Sequence, residues 1–367
     1  MNRFTKTGPD GTTTENPVVD VHQHVWPAGL IEALRARRAA PCLRGWSLEL
    51  SGEPDYEVDP TWHDVDARVA RAAEDGLDLA LVSLSSPLGI ESLAPDEAAE
   101  LLEAYHDGVH VLPAPFAGWA AACLTEVDAA ALARELDRGF VGLQLPATTL
   151  LDGAGYDLAA PLLEVLEGSD RPLLIHPGPV GSSGGPRAPV APRDPGAPCA
   201  PVAQRAPVAP RDPVAPRDPG APRASVAPAD PAWWPAIVSY VQQMHAAWFA
   251  FRVHGRPRHP RLRVCFALLA GLAPLHGERF AARTGDRNIV DEDVFLDISS
   301  YGNRAVDATI RVLGIDALVN GSDLPYADPV NLDLGAAAAH ALRTANPLRL
   351  LQPKKEVSDE MAVAACA

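Results

Sequence analysis

Pro17-Val18-Val19-Asp20-Val21-His22-Gln23-His24 decides how the rest of the chain is read. An apolar run ending in two histidines one residue apart suits an extended strand, whose alternate side chains share a face, so both imidazoles leave its C-terminal end together. Such a pair can pinch a metal ion, and it becomes a site only if later strands bring further ligands to the same end. From residue 17 onward short apolar runs alternate with amphipathic stretches, the pattern of parallel strands joined by helical crossovers. Strands are predicted at residues 18–24, 79–85, 109–113, 141–145, 172–176, 263–268, 294–298 and 317–321. Helices are predicted at 28–39, 95–107, 128–138, 158–167, 234–251, 274–283, 304–313 and 334–344. This α/β alternation predicts a closed (β/α)8 TIM barrel. An open doubly wound sheet is the alternative, weakened because no Gly-rich phosphate loop follows the first strand.

Two segments interrupt the alternation. Residues 41–64 contain Gly45-Trp-Ser-Leu-Glu-Leu-Ser-Gly-Glu-Pro54, whose alternating apolar and polar residues predict a small hairpin beside the mouth after strand 1. Residues 180–230 are near-repeats: Ala188-Pro-Val-Ala-Pro-Arg-Asp-Pro195 recurs at 206–213 and contributes to a total of 37 prolines. Proline at that density forms neither helix nor ladder bonds, so a disordered low-complexity insertion after strand 5 is expected. A ligand for a proline-recognising domain is the lesser reading. The expected organisation is a disordered tail at 1–16, the barrel at 17–350 with this insertion, and a C-terminal tail at 351–367.

With 367 residues, 47% of them hydrophobic, the chain has ample material for a large core. Its 31 basic and 47 acidic residues give a formal charge of -16, which repels phosphate backbones and argues against nucleic acid as a partner. A small-molecule substrate is the expected partner, and a homo-oligomer is compatible with the composition. The polar start Met1-Asn-Arg-Phe-Thr-Lys and the lack of a run of roughly 18 apolar residues predict no membrane association and a cytoplasmic protein. The five cysteines form no C-x-x-C pair, so neither a disulfide framework nor a zinc–cysteine site is indicated.

Chemistry in a barrel gathers at the C-terminal ends of strands. Strand 5 ends in Leu173-Leu-Ile-His176-Pro-Gly178, and strand 8 runs into Leu318-Val-Asn-Gly-Ser-Asp323-Leu-Pro325. Taken alone, the first is more often a hydrogen-bonded structural histidine, and the second a turn or cap. Together, His22, His24, His176 and Asp323 make a set of three nitrogens and one oxygen suited to one divalent ion, Zn2+ with Mn2+ as the alternative.

Val19-Asp-Val-His-Gln-His24, Leu174-Ile-His176-Pro-Gly, Ala270-Gly-Leu-Ala-Pro274 and Gly321-Ser-Asp323-Leu-Pro325 resemble the motifs of the amidohydrolase-related family of the metal-dependent hydrolase superfamily. The resemblance covers roughly residues 17–350 apart from the insertion. It implies a (β/α)8 barrel, a catalytic divalent metal held by His22, His24, His176 and Asp323, and either hydrolysis or non-oxidative decarboxylation of a small carboxylated substrate. Two departures stand out. Where the family carries a strand-6 histidine this chain has Leu268, which neither binds metal nor moves protons. On strand 4, where binuclear relatives place a bridging lysine or glutamate, it has Gln144, favouring a single metal.

Gln144 is therefore a candidate to orient substrate or water, with a barrel-interior hydrogen bond as the competing reading. His276, expected in the first turn after strand 6, is a candidate proton shuttle in place of the missing histidine. Arg44 and Trp46 are candidate substrate-binding residues at the mouth, Arg44 because its planar fork matches a carboxylate. Ordinary surface positions compete with both. The favoured activity is metal-assisted hydrolysis, with Asp323 as catalytic proton carrier. A decarboxylase of a small unsaturated or aromatic acid is the alternative, set back slightly by the loss of the strand-6 histidine. A non-catalytic binding protein on a degraded barrel is the third reading.

Overall fold

The computed structural model describes residues 6–7, 13–14, 16–180, 231–287, 289–329 and 332–353. Eight parallel strands form the frame: β1 Val19–Gln23, β2 Leu79–Val82, β3 Phe116–Gly118, β4 Leu143–Pro146, β5 Leu173–His176, β6 Val264–Phe266, β7 Val294–Asp297 and β8 Leu318–Val319. β1 to β3 pair in order, as do β4 to β8. Two seams join these sheets into a ring. At one, Ala120 N–H donates to Gly142 and Gln144 N–H to Ala120, each at 2.8 Å; at the other, Val21 N–H donates to Asn320 and Asp323 N–H to His22, each at 2.9 Å.

Among the described residues, eight helices surround the ring: α1 Ala28–Ala36, α2 Val65–Glu74, α3 Pro95–His110, α4 Ala129–Arg138, α5 Gly153–Gly168, α6 Tyr240–Ala250, α7 Gly277–Thr284 and α8 Asn303–Leu313. Asp64, Asp128 and Asp152 cap α2, α4 and α5 by accepting from Ala67, Ala131 and Gly155 N–H, which satisfies donors that have no partner within the helix. Two short helices, Gly335–His340 and Asn346–Leu351, complete the chain's last described turn of structure.

Alternate strand residues face opposite layers. One set, including Val21, Leu81, Leu174, Cys265, Phe295 and Val319, packs together inside the ring, with Leu350 and Leu351 against it. The other set, including Ala80, Leu173, Val264 and Leu296, packs against the helices. Burial of each such side chain contributes about 1.5–3 kcal/mol before conformational entropy is counted.

Three expectations need correction. Residues 109–113 are not a strand: Val109 is the last buried residue on α3, following Ala98, Leu101, Leu102 and Tyr105 at helical spacing, and β3 lies further on, at Phe116–Gly118. A helix unforeseen between strands 1 and 2, α2, is the actual crossover. Before it stands the expected hairpin, enlarged to three antiparallel strands at Cys42–Arg44, Ser47–Glu49 and Tyr56–Glu57. The proline-rich insertion, apart from residue 180, and residues 354–367 lie outside the described residues, as does most of 1–16, where Lys6–Thr7 pairs with Thr13–Thr14. Among the described residues, no helix is long and apolar enough to cross a membrane.

Candidate metal centre

The sequence reading requires His22 and His24 to share the interior face, yet Val19 and Val21 already occupy it. A bulge in β1 resolves the conflict: Asp20 lies opposite Ala80 and Gln23 opposite Val82, so three steps on β1 match two on β2. The extra residue changes which parity faces inward, and the even-numbered histidines follow the odd-numbered valines into the ring. On β5 no such change is needed, because His176 is two residues beyond the interior-facing Leu174. Asp323 arrives through Gly321-Ser322 after β8, in a left-handed backbone conformation with φ of 61°.

Hydrogen bonds fix all three rings in one tautomer. His22 Nδ1 lies 2.7 Å from Asp297 Oδ2, His24 Nδ1 3.0 Å from the Ser83 carbonyl, and His176 Nδ1 2.8 Å from the Pro177 carbonyl. Each partner accepts only, so each Nδ1 carries a proton and donates, which leaves Nε2 as the ring atom that faces the other donors. The rings meet edge to face, with centroids 4.8–5.1 Å apart. His22 and His24 bring their Nε2 atoms to 3.1 Å, and Asp323 Oδ1 stands 3.1 Å from His24 Nε2 and 3.7 Å from His22 Nε2. One ligand atom from each of the four residues falls within 4.8 Å of every other. Lone pairs held this close repel unless a proton or a cation lies between them, so the donor set fits a divalent ion.

The electrostatics agree. Burial, reinforced by His22, pushes His24 and His176 well below the ordinary imidazole value, so both stay neutral. At His22, burial opposes protonation but the charge and hydrogen bond of Asp297 outweigh it and carry the ring up to about 9. A cation binding there takes the place of that proton. Burial pushes Asp323 up to about 6, against the lowering influence of His22 and His176.

Asp297 was missed in the sequence, although an acid inside the apolar run Val294-Phe-Leu-Asp-Ile298 is itself a signal that a buried partner waits for it. Besides His22 it accepts from Ser299 N–H at 3.1 Å and from Leu268 N–H at 3.0 Å. The Leu268 donor comes from an unusual turn: residues 268–272 all have positive φ, between 46° and 60°. A left-handed run of this kind costs about 1–2 kcal/mol per non-glycine residue. At Gly271 the backbone of α6 is so close that a Cβ would stand 2.4 Å from the Val241 carbonyl oxygen.

Above the four residues opens a cavity of about 410 Å3. His24, His176 and Asp323 line it together with Leu268, Ser300, Tyr301 and Tyr326. Other sequence candidates lie elsewhere in the structure. Exposed His276 packs edge to face on His245, with centroids 5.0 Å apart, and does not line the cavity. Arg44 donates to the Arg37 carbonyl at 2.8 Å, and Trp46 lies under the Arg35 guanidinium at 4.7 Å; neither lines the cavity. Gln144 is fully buried beneath the mouth, where its amide donates to the Leu84 carbonyl and Ser86 hydroxyl, each at 2.6 Å. These bonds match the barrel-interior hydrogen-bonding reading, and its Oε1 has no hydrogen-bond partner among the described residues.

No protein-family model matches the sequence, and no curated protein sequence matches it. Solved structures do. The apo form of IDCase from Metarhizium anisopliae is similar with a TM-score of 0.65 at 17% identity, over 92% of this chain and 98% of that one. A 5-carboxyvanillate decarboxylase from Novosphingobium aromaticivorans, complexed with manganese and 4-hydroxy-3-methoxy-5-nitrobenzoic acid, gives 0.60 at 17% over 96% and 99%. The 2,6-dihydroxybenzoate decarboxylase from Rhizobium gives 0.56 at 17% over 91% and 98%. This chain therefore has the (β/α)8 fold that those decarboxylases share, along nearly its whole length.

Proposed function

We propose that the chain is an enzyme of the amidohydrolase-related family, a metal-dependent, non-oxidative decarboxylase of a small aromatic or unsaturated acid. The observation that carries the reading is three histidines of preset tautomer and one aspartate converging at a cavity, on a fold shared with two decarboxylases of aromatic acids. Hydrolysis, favoured in the sequence, takes second place. The likeness in fold to solved decarboxylases of aromatic acids is what supports this order.

His22, His24, His176 and Asp323 would hold a single divalent ion; Mn2+ and Zn2+ both suit the donor set. When bound, the ion supplies positive charge that orients substrate oxygens and offsets electron density as carbon dioxide leaves. The walls seat the ring and strip water from its carboxylate. As the carbon–carbon bond breaks, its electron pair stays on the ring carbon, which must take up a proton. Asp323, 16% exposed and lining the cavity, would carry that proton.

The test is carbon dioxide release from a panel of hydroxybenzoates and unsaturated acids, run beside ester, lactone and amide hydrolysis with Mn2+- and Zn2+-loaded protein. Release that disappears in His22→Ala is expected. Hydrolysis without release would sink the decarboxylase reading, and a wild-type chain that retains no metal would support a non-catalytic binding protein instead.

A further inference from the structure

Glu53 lies in the loop between the second and third strands of the hairpin insertion and lines the same cavity. Both of its carboxylate oxygens lie within reach of the Tyr240 hydroxyl, at 2.9 and 2.8 Å, and Val180 N–H is 3.4 Å from one of them. A phenol has one proton to give, so the carboxylate keeps unused acceptor capacity. Among the described residues it has no ion-pair partner, and the cavity wall contains no arginine or lysine. Burial raises the Glu53 carboxyl from its ordinary value, with the Tyr240 and Val180 bonds holding it back.

The polar wall continues from Glu53 toward the histidines. Tyr56 and Tyr326 both line the cavity, the Tyr326 hydroxyl lies 3.4 Å from that of Ser85, and the Tyr326 ring centroid is 5.2 Å from that of His24. A single aromatic ring with its carboxylate at the histidines would thus have a partly desolvated acceptor further along the wall, with no arginine or lysine among the described residues that line it. A substituent that donates a hydrogen bond satisfies that acceptor; a second carboxylate meets like charge.

Building on the decarboxylase reading, we propose that Glu53 is a specificity-determining residue that selects acids bearing a hydroxyl or amino donor away from the reacting carboxylate and rejects dicarboxylates. The test is calorimetric binding to the Mn2+-loaded full chain of two matched pairs: 4-aminobenzoate against terephthalate, and 3-aminobenzoate against isophthalate. In wild type, the aminobenzoate of at least one pair is expected to bind about tenfold tighter or more than its dicarboxylate, the scale of one charge-assisted hydrogen bond. Glu53→Gln is expected to bring that ratio to within about twofold. Glu53→Asp, which keeps the charge but withdraws it, is expected to weaken the aminobenzoate while still rejecting the dicarboxylate, and it carries the test if the glutamine variant does not fold. An unchanged ratio in Glu53→Gln, equal wild-type affinity within both pairs, or no binding of any probe would overturn the proposal. A preference that responds to Glu53 without carbon dioxide release from any acid would support it and count against decarboxylation alone.

Discussion

Asp297 and Glu91 are both fully buried carboxyl groups, and the barrel treats them in opposite ways. Asp297 collects donors from three strand ends: His22 from β1, Leu268 N–H after β6, and the Ser299 backbone and hydroxyl after β7. Burial alone would raise its pKa, but His22 and Ser299 hold it below the ordinary range. Glu91 accepts from the Ser86 hydroxyl, and its Oε2 has no hydrogen-bond partner among the described residues. Burial carries it up to about 7, against the smaller effect of Ser86. In the same low-dielectric interior, then, the charge of His22 together with the hydrogen bonds from His22 and Ser299 keeps Asp297 ionised, and Glu91 has no such charged partner. The charge is kept where it fixes the ring of His22.

Breaking this contrast from the Asp297 side should have the largest effect. Asp297→Ala leaves His22, Leu268 and Ser299 donors buried without an acceptor, and should cost more than about 3 kcal/mol by denaturant titration, with loss of bound metal. On the other side, Glu91 has a folded pKa above its ordinary 4.5, so the folded chain keeps a proton that the unfolded chain has already lost between pH 4.5 and about 7. Its contribution to stability therefore falls as pH rises through that window. Glu91→Gln removes this dependence, and its stability relative to wild type should grow across the window by up to about 3 kcal/mol. A constant difference would show that Glu91 ionises normally.

Asp297→Asn sharpens the comparison by keeping the shape and removing the charge. Metal affinity should fall about 10- to 100-fold in competition with a chelator, the usual scale for losing a group that orients a ligand histidine. The smallest effect is expected for His276→Ala. The residue is exposed and touches neither acid, so stability should change by no more than about 0.5 kcal/mol and metal content should not change.

How legible each part was depends on whether its signal is local. β1, β5 and β8 declare themselves because an apolar run ends in a histidine or runs into a glycine-led turn with an aspartate, and those ends supply the four converging residues. β3 is only three residues long, and the more conspicuous apolar stretch before it belongs to the buried face of α3. α2 was legible in principle, since Asp64 caps it and Arg68 and Ala72 repeat at helical spacing, but the neighbouring insertion drew the reading away. The β1 bulge has no sequence mark, because it is imposed by pairing with β2. Glu53 and Asp297 share the same difficulty: each acquires its meaning from residues more than 100 positions away, Tyr240 at 187 and His22 at 275.

The seam between β1 and β8 has a consequence for synthesis. Asp323, whose N–H closes onto the His22 carbonyl, is made 301 residues after its partner. A nascent chain holding only the first five strands carries all three histidines and lacks the carboxylate. Ring closure by so distant a contact is entropically costly and slow. On the proposed metal reading, a chain cut short before Asp323 would lack one of the four donors that would hold the ion.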